Sequence, residues 1–259
     1  MPGRDLALLI EAAREAGEGA RATLARPLDI IHKADGAGPV TAVDLAVNAH
    51  LATRLRDARP GYGWLSEETE DDAARLGSER VFIVDPIDGT RSLIEGTDLW
   101  AHALAVAEAG VVTAAVIYLP MRDKLYAAAA GQGATLNGAP IRAAGRRALA
   151  GATVLAASPA LQPEHWQDGR VPPLRRGFRP SLAYRLSLVA EGRYDAMLTL
   201  RPTWEWDVAA GDLILREAGA MISDRAGGPL RFNNPHPQVA GVIAANPVLH
   251  GALRAALRG

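Results

Sequence analysis

Apolar residues recur with a helical period over 5–25, where Leu6, Leu9, Ile10, Ala13, Ala20 and Leu24 share one stripe and Glu11, Arg14, Glu15, Glu18 and Arg21 lie off it. That spacing predicts an amphipathic helix with a solvated charged face, ended by Pro27. A small-residue loop, Lys33–Pro39, precedes a second helix opened by Thr41, with Asp44 three positions on in a capping-box arrangement. The stretch 61–66 reads as a short strand that runs into Glu67 and Glu68. Residues 81–84 are a continuous apolar run, as in a strand buried on both faces, and Pro86 is expected to stop its ladder. A helical turn is expected over Arg91–Glu95. Residues 99–107 and 111–119 form a hairpin pattern around Glu108-Ala109-Gly110, a strand follows at 124–129, and Asn137-Gly138 signals a type I′ turn. An antiparallel region over 99–142 follows, with His102 a structural histidine inside it.

The Ala- and Arg-rich stretch 143–151 is the best boundary between two halves, 1–145 and 146–259, of one compact unit. Beyond it the pattern gives a strand at 153–157, a helix over Leu182–Glu191 stopped by Gly192, and a strand over Asp195–Leu200. Another helix carries Asp207 in its first turn and ends at Gly219. Strands at 220–224 and 241–245, separated by a Gly227-Gly228 turn, lead to a last helix over 247–258. The stretch from Pro159 to Pro180 has little pattern and reads as a loop, a candidate substrate rim holding Trp166, Arg175, Arg176 and Arg179. The small residues Ala209, Ala210 and Gly211 allow another backbone to approach closely.

Composition narrows the chemistry. A formal net charge of −1 gives no global attraction to a nucleic-acid polymer or an anionic membrane, so an anionic substrate must be drawn in locally. There is no cysteine, which removes disulfides, thiolate metal sites and cysteine nucleophiles together. No apolar run reaches the length of a membrane span, and the N-terminus lacks a signal-peptide pattern, so a soluble cytoplasmic protein is expected.

The chemistry gathers around Asp85-Pro86-Ile87-Asp88-Gly89-Thr90. Two carboxylates three residues apart at a strand end repel each other unless a cation lies between them, and hard oxygen donors suit Mg²⁺, Mn²⁺ or Ca²⁺. Gly89 and Thr90 follow at a helix start, where free N–H groups favour an anion. Glu67 or Glu68 leaves the preceding strand as a third acid, Glu67 the better placed because it lies nearer the strand end, and Asp207 begins a later helix. Singly, each has an ordinary explanation as a solvated turn, a cap or helix-dipole support. Together they are an all-oxygen set large enough for two divalent ions about 3.5–4 Å apart.

With these residues in view, the chain resembles the inositol monophosphatase superfamily of magnesium-dependent, lithium-sensitive phosphatases. The resemblance rests on Asp85-Pro86-Ile87-Asp88-Gly89-Thr90 and Trp206-Asp207-Val208-Ala209-Ala210-Gly211, with Ser66-Glu67-Glu68 and Val40-Thr41-Ala42-Val43-Asp44 in the same order. It implies an α/β layered fold, an αβαβα sandwich with mixed sheets, in an enzyme that acts on a small phosphorylated substrate. It implies that Glu67, Asp85 and the Ile87 carbonyl hold one metal, that Asp85, Asp88 and Asp207 hold a second, and that a third, weaker ion sits near Glu67. Mg²⁺ is the implied ion, two to three per site, with Mn²⁺ as a substitute. Asp44 and Thr90 match the pair that orients the attacking water and, with Glu67, are the expected catalytic residues, while the N–H groups of Gly89 and Thr90 would hold the phosphate. Homodimers are frequent in the family.

Inositol-specific members carry a glutamate seven residues before the Trp-Asp aspartate, where this chain has Leu200. Several segments are similar to the bacterial 3'(2'),5'-bisphosphate nucleotidase branch, among them Val189-Ala190-Glu191-Gly192 and Gly228-Pro229-Leu230-Arg231-Phe232-Asn233. Arg185, with Arg201 or Arg231, could then meet a second phosphate. The expected substrate is adenosine 3',5'-bisphosphate, cleaved to AMP and phosphate. An inositol monophosphate or another sugar or polyol phosphate is the alternative, and a silent metal-binding scaffold is the reading from a different class.

Overall fold

Neighbouring residues of a strand point to opposite faces of its sheet, and in this chain each face has its own helix layer. The computed structural model describes residues 2–25, 28–32 and 38–258. Helix α1 (Pro2–Leu24) is followed by a short antiparallel pair, β1 (Ile30–His32) and β2 (Pro39–Thr41), and by α2 (Ala42–Ala58). Seven strands then lie side by side in sequence order: β3 (Gly63–Ser66), β4 (Arg80–Asp88), β5 (Ala101–Glu108), β6 (Val111–Leu119), β7 (Lys124–Ala129), β8 (Ala134–Leu136) and β9 (Ala139–Pro140). Only β3 and β4 are parallel in this sheet, and the short helix α3 (Thr90–Ile94) joins β4 to β5.

The rest of the chain contributes β10 (Thr153–Ala156), β11 (Arg175–Gly177), α4 (Leu182–Ala190), β12 (Ala196–Thr199), β13 (Thr203–Trp204) and α5 (Glu205–Glu217). It closes with β14 (Met221–Ser223), β15 (Gln238–Val239), β16 (Val242–Ala245) and α6 (Pro247–Ala256). A mixed five-stranded sheet has the order β11-β10-β12-β16-β14, and β13 pairs separately with β15.

The alternation through 81–84 assigns the layers. Phe82 and Val84 pack with Leu104, Val106 and Val116 beneath α1 and α2. Val81 and Ile83 face the other way with Ala105 and Ile117, onto α4 and α5. The far side of those two helices covers Leu155, Met197 and Ala244 of the five-stranded sheet. That sheet's alternate residues, including Val154, Leu198 and Ile243, join Leu249 and Leu253 of α6. The result is the five-layer αβαβα sandwich that the family resemblance implied. Among the described residues no helix is long and apolar enough to cross a membrane.

The middle helix layer needs small residues. A Cβ added at Gly211 of α5 would lie 2.3 Å from Leu186 Cδ1 and 2.7 Å from Leu186 Cβ of α4. Gly211→Ala is therefore expected to destabilise the protein by about 1–3 kcal/mol through overpacking. A denaturation midpoint unchanged from the parent would show that the two helices can part at no cost.

Three expectations change. The β4 ladder does not stop at Pro86. It pairs through Asp85↔Ala103, bulges over Pro86 and Ile87, and resumes at Asp88↔Ala101. A bulge is where a strand tolerates a residue with no N–H to donate. The stretch 159–180 is not a plain loop, since it forms three short 3₁₀ turns and the edge strand β11 that holds Arg175 and Arg176. Trp166 is not part of a rim either: it is fully buried beside α6, and its indole N–H donates to the Ala160 carbonyl at 3.2 Å. The strands β1, β2, β13 and β15 went unread because two or three residues are too few to display a period. Of the loop expected over Lys33–Pro39, residues 33–37 lie outside the described residues and Pro39 opens β2, and the helix end at Pro27 also lies outside them.

Candidate active site

The parallel ladder of β3 and β4 ends at Ser66↔Val84, so Glu67 and Asp85 follow it at the same end, with Asp85 still paired to Ala103 of β5. The bulge then places Asp85 and Asp88 on either side of Pro86 and Ile87. His102 of β5 braces it, with Nδ1 lying 2.5 Å from the Pro86 carbonyl oxygen. Burial pulls the imidazole pKa down to about 4, so the ring is neutral and its Nδ1–H donates to that carbonyl. The structural role expected for His102 is thus realised at the bulge. Gly89 follows at φ 105, in the left-handed region that glycine adopts without strain, and a Cβ there would lie 3.3 Å from the Leu99 carbonyl oxygen.

Oxygens of Asp85, Asp88 and Asp207 all lie within 4.8 Å of one another, although Asp207 comes from α5, more than a hundred residues later in the chain. Glu67 lines the same cleft. Burial, followed by repulsion from Glu67, Asp88 and Asp207, pushes the Asp85 carboxyl well above the ordinary range. Burial and the charges of Asp88 and Glu67 do the same to Asp207. Asp88 is also raised by burial, but the Ser181 hydroxyl and the Ala183 N–H each donate to its Oδ2 at 2.6 Å and oppose the rise. Asp85 Oδ1 is buried and has no hydrogen-bond partner. Crowded carboxylates, all hard oxygen donors, with one buried oxygen left unsatisfied, fit a divalent cation.

Beside this cluster, Asp44 uses both oxygens. Oδ2 accepts from the Thr41 N–H at 2.9 Å and closes the capping box of α2, and Oδ1 accepts from the Thr90 hydroxyl at 2.9 Å. The same hydroxyl lies 3.2 Å from the Ile87 carbonyl oxygen. Capping and the pairing with Thr90 therefore coexist in one side chain.

The carboxylates open into a cleft of about 1190 Å³ whose walls include Phe178, Pro180, Arg201, Trp204 and Trp206. The two indoles are stacked, 4.8 Å apart and 8° from parallel. Of the arginines expected to meet a second phosphate, Arg201 reaches this cleft, as does Arg91. Arg185 does not. It is buried, donates to the carbonyls of Arg179 and Pro180, lies over the Phe178 ring, and burial pulls its pKa down to about 10. Arg231 lines a separate pocket beside Gly110 and Phe232. Leu200 faces the core of the five-stranded sheet. Glu205, an acid five residues further on, is fully buried and accepts from the Asn233 and Asn234 N–H groups. The sequence reading missed Ser181 and the Phe178–Trp204–Trp206 wall. Ser181 was findable, since a serine just before an apolar helical run is an N-cap signal, and it does cap α4.

The profile of the Inositol monophosphatase family matches residues 4–259. The chain is 32% identical to an inositol-1-monophosphatase of Mesorhizobium japonicum, over 98% of this chain and 96% of the relative. It is 31% identical to the Nus factor SuhB of Escherichia coli K12, over 98% and 95%. Among solved structures, the extragenic suppressor protein suhB of Bartonella henselae superposes with a TM-score of 0.81 at 28% identity, covering 97% of both chains.

Proposed function

Since this chain belongs to the inositol monophosphatase family and is a phosphatase, we propose that it hydrolyses small polyol or sugar phosphomonoesters with Mg²⁺, inositol 1-phosphate among them. The observation that carries this is the convergence of Asp85, Asp88 and Asp207 around a buried, unsatisfied carboxylate oxygen. Glu67, Asp85, Asp88, Asp207 and the Ile87 carbonyl would hold two to three Mg²⁺ ions, with Mn²⁺ able to substitute. Such ions supply Lewis-acid activation of water and neutralise charge on the phosphate.

The protein's own part is orientation. The Thr90 hydroxyl gives its hydrogen to Asp44, which leaves oxygen lone pairs to accept a hydrogen from the attacking water. Asp44 is itself held by Thr41, so the pair is fixed before substrate arrives. The N–H groups at Gly89 and Thr90 would grip phosphate oxygens. Thr90→Ala is expected to lower kcat by roughly 10²-fold, as for loss of a general acid–base partner, with KM little changed. Phosphate release at saturating Mg²⁺ measures it, and a kcat within threefold of the parent would remove Thr90 from the mechanism.

Two features bear on the substrate. A bisphosphate needs a second cationic site, and of Arg185, Arg201 and Arg231 only Arg201 lines the cleft. With Leu200 in the core and Glu205 occupied, no carboxylate from that segment reaches the alcohol, which favours a broad range of polyols over one tightly read sugar. The second reading, adenosine 3',5'-bisphosphate, is favoured by the flat Trp204–Trp206 stack beside Arg201. Comparing kcat/KM for inositol 1-phosphate and adenosine 3',5'-bisphosphate decides between them. At least a tenfold advantage for the inositol ester is expected, and the opposite order would replace the first reading by the second.

A further inference from the structure

A guanidinium taken out of water must have its donors satisfied, and Arg75 is only 2% exposed. Its Nε and Nη2 donate to the two oxygens of Asp71 at 2.6 and 2.9 Å, a forked pairing within one loop. The remaining donors cross the molecule. Nη1 reaches Asn233 Oδ1 at 2.6 Å, and Nη2 reaches the Asn234 carbonyl at 2.9 Å. Asn233, at φ 63, returns a bond from its Nδ2 to the Arg75 carbonyl at 3.2 Å.

The same dipeptide is gripped from its other side by Glu205. That buried carboxylate accepts from the Asn233 N–H at 2.6 Å, the Asn234 N–H at 2.9 Å and the Asn234 side-chain amide at 2.6 Å. A buried cation and a buried anion therefore clamp Asn233-Asn234 between them. Each sits close in sequence to a member of the acidic cluster: Arg75 is eight residues after Glu67, and Glu205 two before Asp207. The loop that carries Glu67 is tied down at its near end as well, where the Asn48 amide of α2 donates to the Glu68 carbonyl at 3.1 Å and to the Thr69 hydroxyl at 3.0 Å.

We propose that Arg75 and Glu205 are positioning residues, which fix the Glu67 loop against the start of α5 and so set the affinity of the carboxylate cluster for a divalent cation. The proposal rests on the metal reading of Glu67, Asp85, Asp88 and Asp207 given above. It is tested by Mn²⁺ binding to the metal-free protein, followed by electron paramagnetic resonance, alongside the Mg²⁺ dependence of phosphate release.

Arg75→Gln is expected to weaken Mn²⁺ binding about 10- to 100-fold, the range for loss of partners that orient metal ligands. At saturating Mg²⁺ its kcat should stay within about threefold of the parent, because no reacting group is touched. Arg75→Lys should fall between the two, since a point charge cannot hold both Asp71 oxygens in a fork. A folded Arg75→Gln protein with Mn²⁺ affinity within about twofold of the parent would overturn the proposal. If Arg75→Gln is recovered only unfolded, Glu205→Gln decides by the same criterion, because it places an amide donor against the Asn N–H groups while leaving Arg75 in place. A parent protein that binds Mn²⁺ no better than its Asp88→Asn variant would instead sink the metal reading, and this proposal with it.

Discussion

Asp85→Asn is expected to abolish useful turnover while making the metal-free protein more stable. The two effects have one cause. The Asp85 carboxylate is buried against Glu67, Asp88 and Asp207, with Oδ1 left without a partner. At 4.8 Å and an effective dielectric near 20, two like charges repel by about 3 kcal/mol, and burial adds a desolvation cost. A proton taken up by the cluster relieves part of this, so the neutral, isosteric amide should gain about 1–3 kcal/mol, or ~2–4 °C in Tm per kcal/mol for a protein of this size. The amide also lacks the charge that a cation needs. Loss of roughly 10³-fold in kcat/KM is expected, about 4 kcal/mol of transition-state stabilisation. Calorimetry in a chelator and phosphate release with Mg²⁺ measure the two sides. A variant that still turns over within tenfold of the parent would remove Asp85 from the centre of the site.

Mg²⁺ should raise the Tm of the parent protein strongly near neutral pH and hardly at all in acid. Asp85 and Asp207 have folded-state pKa values raised by burial and mutual repulsion, the reverse of an ordinary salt-bridged aspartate. The folded state therefore binds protons that the unfolded chain has released. Their contribution to stability is full below the ordinary carboxylate pKa and is lost as pH rises through the elevated folded value. Above that point the carboxylates are charged and repel one another, only partly offset at Asp207 by Arg201 and Arg185, and a cation that binds only the folded form stabilises it by mass action. At a hundredfold excess over Kd the gain is about 2.7 kcal/mol, roughly 5–10 °C. As pH falls, protons compete for the same oxygens and the shift should shrink. An Mg²⁺ shift that did not change between neutral and acid pH would mean that the ion binds elsewhere. The Asp85→Asn protein should show little Mg²⁺ shift at any pH.

How much of this was legible beforehand depends on how local each signal is. The Thr41–Asp44 cap and the turn at Pro86 are set by backbone chemistry within a few residues and were readable, whereas the resumption of the β4 ladder past Pro86 depends on its pairing with β5 and was not. The direction of a side chain on an adjacent position was harder. Leu200 and Arg201 are neighbours, yet one enters the core of the five-stranded sheet and the other lines the cleft, as consecutive residues leaving a strand do. Glu205 and Asp207 are two residues apart on α5, about 200° around the helix, so one is buried against Asn233-Asn234 while the other joins the acidic cluster. Arg185 lies on a helix whose nine residues are all buried between two sheets, where no periodicity distinguishes a solvent face.

The amino-acid sequence by itself determined most of the elements and the kind of chemistry. Apolar periodicity placed most of the helices and strands, the family resemblance implied their layering, and four acids at element ends with no cysteine pointed to an oxygen-ligand site. Only the tertiary structure decided which groups stand around that site. It brought Arg201 and the stacked indoles into the cleft, turned Arg185 and Glu205 inward, and joined Arg75 to Asn233 across 158 residues. The physical reason is range. Backbone preference and hydrophobic period act over a few residues, whereas a buried charge finds its partners only where packing brings distant segments together.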